Sequence, residues 1–355
     1  MFFSSLRTSA FRNLCDAETF TGSKDVFLIG ENGQGKTNFL EALYFCAYAS
    51  SFRSVRDGEM ARNDSSGAEK DFSAAVKIND SVNDEILVKY ENGKKTISIN
   101  GKCAEDRREL LSIAPCIIFC HEDMEFVSGS PERRRWFFDQ TLSLYDPVYL
   151  EDLRRYRRVL KSRNVVLKDY VQNHDKNTAE QVLDALDPQF ALYSQKLMEK
   201  RKTAAEQFSV IFGPLYEEVS GISGITVKYI SSRKDDRARD MAAGLSLSGP
   251  HRDRYLFAHN DKDFAGNAST GQRRLLALLL RTAQARCYLQ MTRQNPILLL
   301  DDVLLEMDGE KRRKFLSVLP SYDQAFYTFL PEEPFKRYQK EDTLVFYVNR
   351  GCVSQ

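Results

Sequence analysis

Nowhere in the 355 residues does an apolar run approach the roughly 18–20 residues that span a bilayer. The opening MFFSSLRTSAFRN also lacks the long apolar core of a secretion signal. Neither a membrane anchor nor export is therefore expected. No C-x-x-C pair occurs among the seven cysteines, and their odd number gives no disulfide framework to expect, so reduced thiols in a cytoplasmic protein are the simplest expectation. Cys116, Cys120 and His121 form no metal knuckle, because a strand-like Ile-Ile-Phe separates the thiols and no second ligand pair follows. A dominant charge is missing as well: 51 Lys and Arg against 50 Asp and Glu leave +1, which excludes wholesale attraction to nucleic acid and requires charge to be read by segment. Internal repeats and long low-complexity segments are absent.

What is present is organised around Asp25–Thr37, DVFLIGENGQGKT. Val26–Ile29 reads as a buried strand, and Asn38–Ala49 has the apolar spacing of a helix. Between them Gly30, Gly35, Lys36 and Thr37 fit Gly-x4-Gly-Lys-Thr, the phosphate-binding loop. Gly30, Gly33 and Gly35 let the backbone turn its N–H groups toward phosphate oxygens, and Glu31, Asn32 and Gln34 complete the loop. Lys36 is expected to reach the β- and γ-phosphates of ATP, and the Thr37 hydroxyl to take a place on Mg2+.

The remaining chain suggests strands flanking a helical insertion. Residues 1–29 read as two strands around a loop, and residues 71–100 as antiparallel strands with a hairpin at Asn92-Gly93. From Pro131 to Ser220 the chain is mostly helical and charged, with one long helix opening at Asp146-Pro147 and a further helical stretch over Thr178–Val219 that turns at Asp187-Pro188. Strand and helix patterns then alternate to the end. The economical architecture is an α/β head with mixed β-sheets, residues 1–140 and 225–355, split by a mainly α-helical arm, residues 141–224.

Late in the chain Ile297–Asp302, ILLLDD, is an apolar strand ending in two carboxylates. Asp301 is expected to hold Mg2+ and Asp302 to act as general base toward the attacking water. Ser269-Thr270-Gly271-Gln272 precedes a periodic helix and resembles the signature loop of ATP-binding-cassette (ABC) ATPases. In that class such a loop meets the γ-phosphate held by a second subunit, which makes Ser269, Gly271 and Gln272 candidates for contact in trans, while an ordinary helix cap is the alternative. Asp308 aligns with the D-loop. Thr328 stands where transporter ATPases carry a switch histidine, and no histidine follows His259, which points to slow hydrolysis or a different γ-phosphate sensor.

Nearly the whole chain resembles the RecF family of bacterial DNA replication and repair proteins. The matching segments are FRN at 11–13, GENGQGKTNFLEAL at 30–43, SFR at 51–53, SGSPERRRWFFDQ at 128–140, YRRVLKSRN at 156–164, GPHRD at 249–253, STGQRRLLALLL at 269–280 and LLLDD at 298–302. Arg254, Arg273 and Leu305 depart from the family pattern. The resemblance implies an ABC-type P-loop head related to SMC-like ATPases, without their long coiled coil. It implies an ATP-dependent homodimer, binding to gapped duplex DNA at single-strand/double-strand junctions, and slow DNA-stimulated hydrolysis. RecR, with RecO, is the implied partner through which RecA is loaded, and the implied location is the nucleoid-associated bacterial cytoplasm, with no membrane. Arg53, one helix after the phosphate loop, lies where related heads approach the nucleotide. An ABC-class subunit of another system and an ATP-binding scaffold without meaningful hydrolysis are the rival readings.

Two basic clusters bear on DNA. Arg133–Arg135 either meet phosphates or brace the fold through acids such as Asp139. The second cluster includes Arg154, Arg157, Arg158, Lys161 and Arg163; Arg154, Arg158 and Lys161 share a helical face, with Arg157 close to it. Such a stripe contacts phosphates without reading bases, and a solvated helix face is the alternative. His251, Arg252 and Asp253 have either a DNA-linked or a structural role.

Overall fold

The computed structural model describes residues 1–53, 56–62, 71–79, 84–104, 106–232, 236–304, 307 and 309–355. They form two compact units: Met1–Asp123 with Tyr288–Gln355, and Met124–Cys287.

The first unit contains two six-stranded sheets. The antiparallel one is built from β1 (Phe2–Ser9), β2 (Ala17–Phe20), β4 (Phe72–Asn79), β5 (Asp84–Glu91), β6 (Lys94–Ile99) and β7 (Lys102–Cys103), in the order β2-β1-β4-β5-β6-β7. The other contains β3 (Asp25–Ile29), β8 (Cys116–Phe119), β12 (Ile297–Leu300), β13 (Gln324–Phe329), β14 (Leu344–Asn349) and β15 (Cys352–Ser354), in the order β15-β14-β3-β13-β12-β8. Its strands run parallel except for β15, which closes a hairpin with β14. Helix α1 (Lys36–Tyr48) shares one hydrophobic core with both sheets: Phe39, Leu43 and Phe45 join Phe72, Val76 and Val88 from one and Val26, Ile118 and Phe326 from the other. This double coverage explains why α1 is apolar nearly all round and why every residue of β3 and β13 is buried. Each large side chain buried there contributes roughly 1.5–3 kcal/mol. The short helices α2 (Arg107–Ile113) and α10 (Gly309–Val318) complete the unit.

The second unit is mainly helical, with α3 (Met124–Ser128), α4 (Pro131–Tyr145), α5 (Pro147–Asn173), α6 (Lys176–Ser220), α7 (Arg237–Ala243), α8 (Phe264–Asn267) and most of α9 (Thr270–Thr292). A three-stranded antiparallel sheet of β9 (Ile225–Ile230), β10 (Arg254–His259) and β11 (Lys262–Asp263) belongs to it. Asp146 caps α5 by accepting Tyr149 N–H at 2.8 Å, and Asp175 caps α6 at Thr178 N–H. Tyr149, Leu153, Tyr156 and Val159 of α5 pack against Phe190, Leu197 and Ala204 of α6.

Three expectations change. The turn expected at Asp187-Pro188 is absent: α6 runs unbroken over 45 residues with Pro188 and Pro214 inside it. Burial of Leu183, Phe190 and Leu197 on both sides of Pro188 offsets a proline cost of about 3 kcal/mol. The two strands expected in residues 1–29 are three, since β2 pairs with β1. The expected boundaries at 140/141 and 224/225 differ from the unit boundaries at 123/124 and 287/288, because α4 packs on α5 and β10, and β9 packs on α6. Among the described residues no helix is long and apolar enough to cross a membrane.

Candidate functional site

The phosphate loop leaves the carboxyl end of β3, between β13 and β14, the place where parallel sheets bind ligands. Gly30 is required there, since a Cβ would lie 2.4 Å from the Val348 carbonyl oxygen. Gly35 has φ of 118°, strained for any side chain, and begins α1 without a side-chain cap. Lys36, 4% exposed, donates from Nζ to the Gly30 carbonyl at 2.6 Å and the Glu31 carbonyl at 3.2 Å. Its ammonium is thereby folded back across the loop and held by two backbone carbonyls.

Sequence reasoning missed what stands behind the loop. Asn13 donates from Nδ2 to the Gly33 carbonyl at 3.3 Å, and its Oδ1 accepts from Asn38 Nδ2 at 2.7 Å. Gly351 N–H donates to the Gln34 carbonyl at 2.8 Å, and Arg350 N–H to Gln34 Oε1 at 2.7 Å. Gln34, expected among the phosphate contacts, therefore directs both oxygens to the β14–β15 hairpin. Cys15 N–H donates to the Gly351 carbonyl at 3.0 Å, and Cys15 and Cys352 are joined by a disulfide across a separation of 337 residues. This corrects the expectation of thiols reduced throughout; no spacing motif signals a pair that only β14–β15 pairing brings together. Cys46, Cys116, Cys120 and Cys287 are buried thiols outside the disulfide, and burial pushes the Cys287 thiol up to about 12. Under non-reducing conditions Cys15→Ser is expected to lower stability by about 2–4 kcal/mol. Thermal melts of parent and variant should converge when dithiothreitol is added; melts that already coincide without it would count against the crosslink.

Arg53 points toward the start of α1, donating from Nη1 to Asn38 Oδ1 at 3.0 Å and lying 3.5 Å from Glu41 Oε2. Glu41 is fully buried but satisfied: Arg12 binds it in bidentate fashion at 2.9 and 3.0 Å, and Ser51 donates to it at 2.5 Å.

Across the sheet, β13 separates β3 from β12, so Thr328 stands between the loop and the acidic pair. The Thr37 hydroxyl donates to Asp301 Oδ1 at 2.9 Å. Asp302 has φ of 53°; its N–H donates to Thr328 Oγ1 at 2.7 Å, and that hydroxyl donates to Asp302 Oδ1 at 2.9 Å. Burial, and secondarily the charge of Asp302, push the Asp301 carboxyl up to about 7, with the Thr37 hydrogen bond opposing. Among the described residues Asp301 forms no ion pair. A buried acid beside a hydroxyl fits a hard divalent ion with oxygen ligands. Leu305 and Asp308 of the D-loop lie outside the described residues.

Ser269, Gly271 and Gln272 lie in the second unit at the start of α9. Gln272 Oε1 accepts Ser269 N–H at 2.8 Å, and Ser269 Oγ accepts Gln272 N–H at 3.3 Å, a capping box. A Cβ on Gly271 would meet nothing within 4 Å. The capping alternative is thus realised, and the outer face of the turn stays open.

The basic clusters divide. Arg133 pairs with Glu125 at 2.5 Å, Arg134 donates to the Val127 carbonyl at 2.7 Å and Arg135 to the Asp253 carbonyl at 2.8 Å. They brace the second unit, Arg133 through an acid and Arg135 with the charge of Asp139 nearby. Arg163 is buried and joined to Asp187 and Asp240 at 2.8 and 2.6 Å. Arg157, Arg158 and Lys161 are exposed, Arg157 lying 3.6 Å from Asp139, and Arg154 is half-buried. His251 is held between Tyr156 Oη at 2.6 Å and the Ser246 carbonyl at 2.9 Å; Asp253 is fully buried and accepts Ser232 N–H at 2.7 Å. Both are structural, and only Arg252 of that trio is exposed.

A family described as RecF/RecN/SMC N terminal domain matches residues 2–353. The "DNA replication and repair protein RecF" of Treponema pallidum (strain Nichols) is 41% identical over 354 residues, covering 96% of this chain and 98% of its own. A solved "Structure of the recombination mediator protein RecF-ATP in RecFOR pathway" is similar with a TM-score of 0.85 at 26% identity, over 99% of this chain and 97% of that one. The Smc head domain from Pyrococcus furiosus, bound to the C-terminal domain of ScpA, is similar at a TM-score of 0.56 and 16% identity, over 99% and 95%, and shares the fold alone.

Proposed function

This chain belongs to the RecF family, and on that premise we propose that it is an ABC-type, ATP-binding ATPase of DNA replication and repair whose ATP-bound form closes as a homodimer on DNA. The observation that carries this reading is the Thr37–Asp301 contact at 2.9 Å beside the Lys36 ammonium, itself held at 2.6 Å in the glycine loop. Lys36 neutralises β- and γ-phosphate charge. Thr37 and Asp301 hold Mg2+, which when bound offsets phosphate charge as a Lewis acid. Asp302 takes the proton of the attacking water as its oxygen bonds to the γ-phosphorus and the bond to the ADP oxygen breaks. The loop backbone of Gly30–Gly35 and Arg53 line the nucleotide. Ser269, Gly271 and Gln272 supply their open turn to the phosphate held by a second copy.

Thr328 is the positioning residue for Asp302. Thr328→Val is expected to lower kcat roughly tenfold or more with ATP affinity unchanged, and Thr328→Ser to restore it. Equal loss in both variants would assign Thr328 to packing.

DNA meets the dimer at gapped duplex junctions, with Arg158 and Lys161, one turn apart on the exposed face of α5, as phosphate contacts. Arg154 and Arg157 contribute more weakly, since Arg154 is half-buried and Arg157 faces Asp139. RecR with RecO is the protein partner and RecA loading the outcome, with hydrolysis slow and DNA-stimulated, in the nucleoid-associated cytoplasm. Light scattering in Mg-ATP, with and without gapped duplex, tests the clamp. A mass that doubles in the parent but not in Lys36→Ala or Ser269→Arg supports it; a monomer under every condition overturns it.

A further inference from the structure

Beside β9 and β10 the second unit has a cavity of about 730 Å3 lined by Ile230, Ser231, Arg239, Leu247, Arg252 and Arg254, among others. The volume suits a ligand of one or two nucleotides rather than a duplex. Its charges are unequal in availability. The two lining carboxylates are engaged: Asp240 is buried, paired with Arg163 at 2.6 Å and accepting Leu247 N–H at 2.9 Å, and Asp236 caps α7 by accepting Arg239 N–H at 3.2 Å. The guanidinium groups of Arg239, Arg252 and Arg254 are exposed and have no carboxylate within ion-pair distance among the described residues. They come from three places, α7, the turn before β10 and the first residue of β10, yet face one opening.

The wall behind them is fixed. Ser232 and Gly249 exchange hydrogen bonds at 2.7 and 3.1 Å, and Asp253 anchors Ser232 N–H at 2.7 Å. Ile230 and Leu247, 47% and 42% exposed, add apolar surface at the rim. Converging guanidiniums match tetrahedral phosphate oxygens in bidentate geometry, and exposed aliphatic side chains suit sugar and base faces. Neither feature reads sequence.

We infer that this cavity is a binding site for the phosphodiester backbone of a single nucleic-acid strand, with Arg239, Arg252 and Arg254 as its phosphate ligands. This rests on reading the chain as a DNA-binding ATPase. It adds a strand site separate from the exposed face of α5.

The test uses the full chain, a fluorescent ten-residue oligo-dT and a labelled ATP analogue. In Arg252→Gln/Arg254→Gln, oligonucleotide affinity at low salt is expected to fall at least tenfold. The slope of log K against log salt should drop by about 1.4, near 0.7 per lost single-strand contact. Binding of the ATP analogue should be unchanged. Arg239→Gln, on a separate element, should show about half the slope change. Unchanged oligonucleotide affinity and slope in both variants, with the parent binding normally, overturns the cavity while leaving the clamp standing. A parent that binds neither oligonucleotide nor gapped duplex overturns both. Displacement of oligo-dT by deca-glutamate at equal concentration also overturns the proposal, in favour of an acidic protein segment.

Discussion

Replacing Arg201 by methionine is expected to destabilise the second unit by about 3–5 kcal/mol, enough to lower its melting temperature on the order of 10 °C. Arg201 is 2% exposed, yet it holds four partners at once. Its Nη2 donates to Asp139 at 2.8 and 3.0 Å, Nε lies 3.0 Å from both Asp139 and Tyr149 Oη, Nη1 donates to the Pro250 carbonyl at 2.6 Å, and Asp253 lies 3.5 Å away. Methionine fills much of the volume but leaves two buried carboxylates without their cation, and that penalty exceeds the loss of the contacts themselves. Burial works against the Arg201 charge, but Asp139, Tyr149 and Tyr255 together outweigh it and hold the guanidinium well above its ordinary value. The loss should therefore be the same at pH 6 and pH 9. Tyr149→Phe, which removes one donor to Asp139, should cost only about 1–2 kcal/mol. Urea unfolding of the three proteins decides the matter; an Arg201→Met midpoint equal to the parent's would sink the account.

Asp301→Asn carries the second large effect, and its sign depends on what is bound. The Asp301 carboxyl titrates at about 7 when folded, against 3.8 as a free side chain. A carboxyl raised on folding opposes the fold once ionised. The Asp301 contribution to nucleotide-free stability is thus intact below pH 3.8, falls as pH climbs toward 7, and stays lower by roughly 4 kcal/mol above it. Asparagine removes the charge and keeps an acceptor for Thr37. The variant should melt with the parent near pH 4 and above it at pH 8, with the gap opening between. In Mg-ATP the order reverses: the parent gains ligand stabilisation, the variant gains little, and its hydrolysis falls to background. A gap that does not change with pH would refute the burial argument.

How much of this could be read from the chain depended on how local the chemistry was. The phosphate loop was legible because close backbone approach, such as Gly30 against Val348, admits only glycine and so leaves a mark at fixed spacing. The ILLLDD strand was legible because parallel central strands need unbroken apolar runs. Arg163 and Arg158 look alike in a basic run, but Arg163 falls in the stripe Tyr156, Val159, Arg163, Leu167 that faces the core. That spacing was a usable signal. Pro188 misled because a local propensity was outweighed by packing along α5 and α6. Thr328 was marked by its position and Asn13 by the FRN segment, but their partners were not, and the Cys15–Cys352 link had no local signature at all: each acts through a partner many residues away.

The hairpin behind the phosphate loop also sets an order of events during synthesis. Residues 344–352 are translated long after Gly30–Thr37, about 15–60 s later at bacterial elongation rates of roughly 5–20 residues per second. Until they emerge, Gln34 has no Arg350 or Gly351 to hold it, and β3 lacks its β14 neighbour. A nascent chain still on the ribosome therefore holds the glycine loop without its scaffold. The hydrogen bonds that hold Gln34 are thus long-range in time as well as in sequence: the loop is made early and supported late.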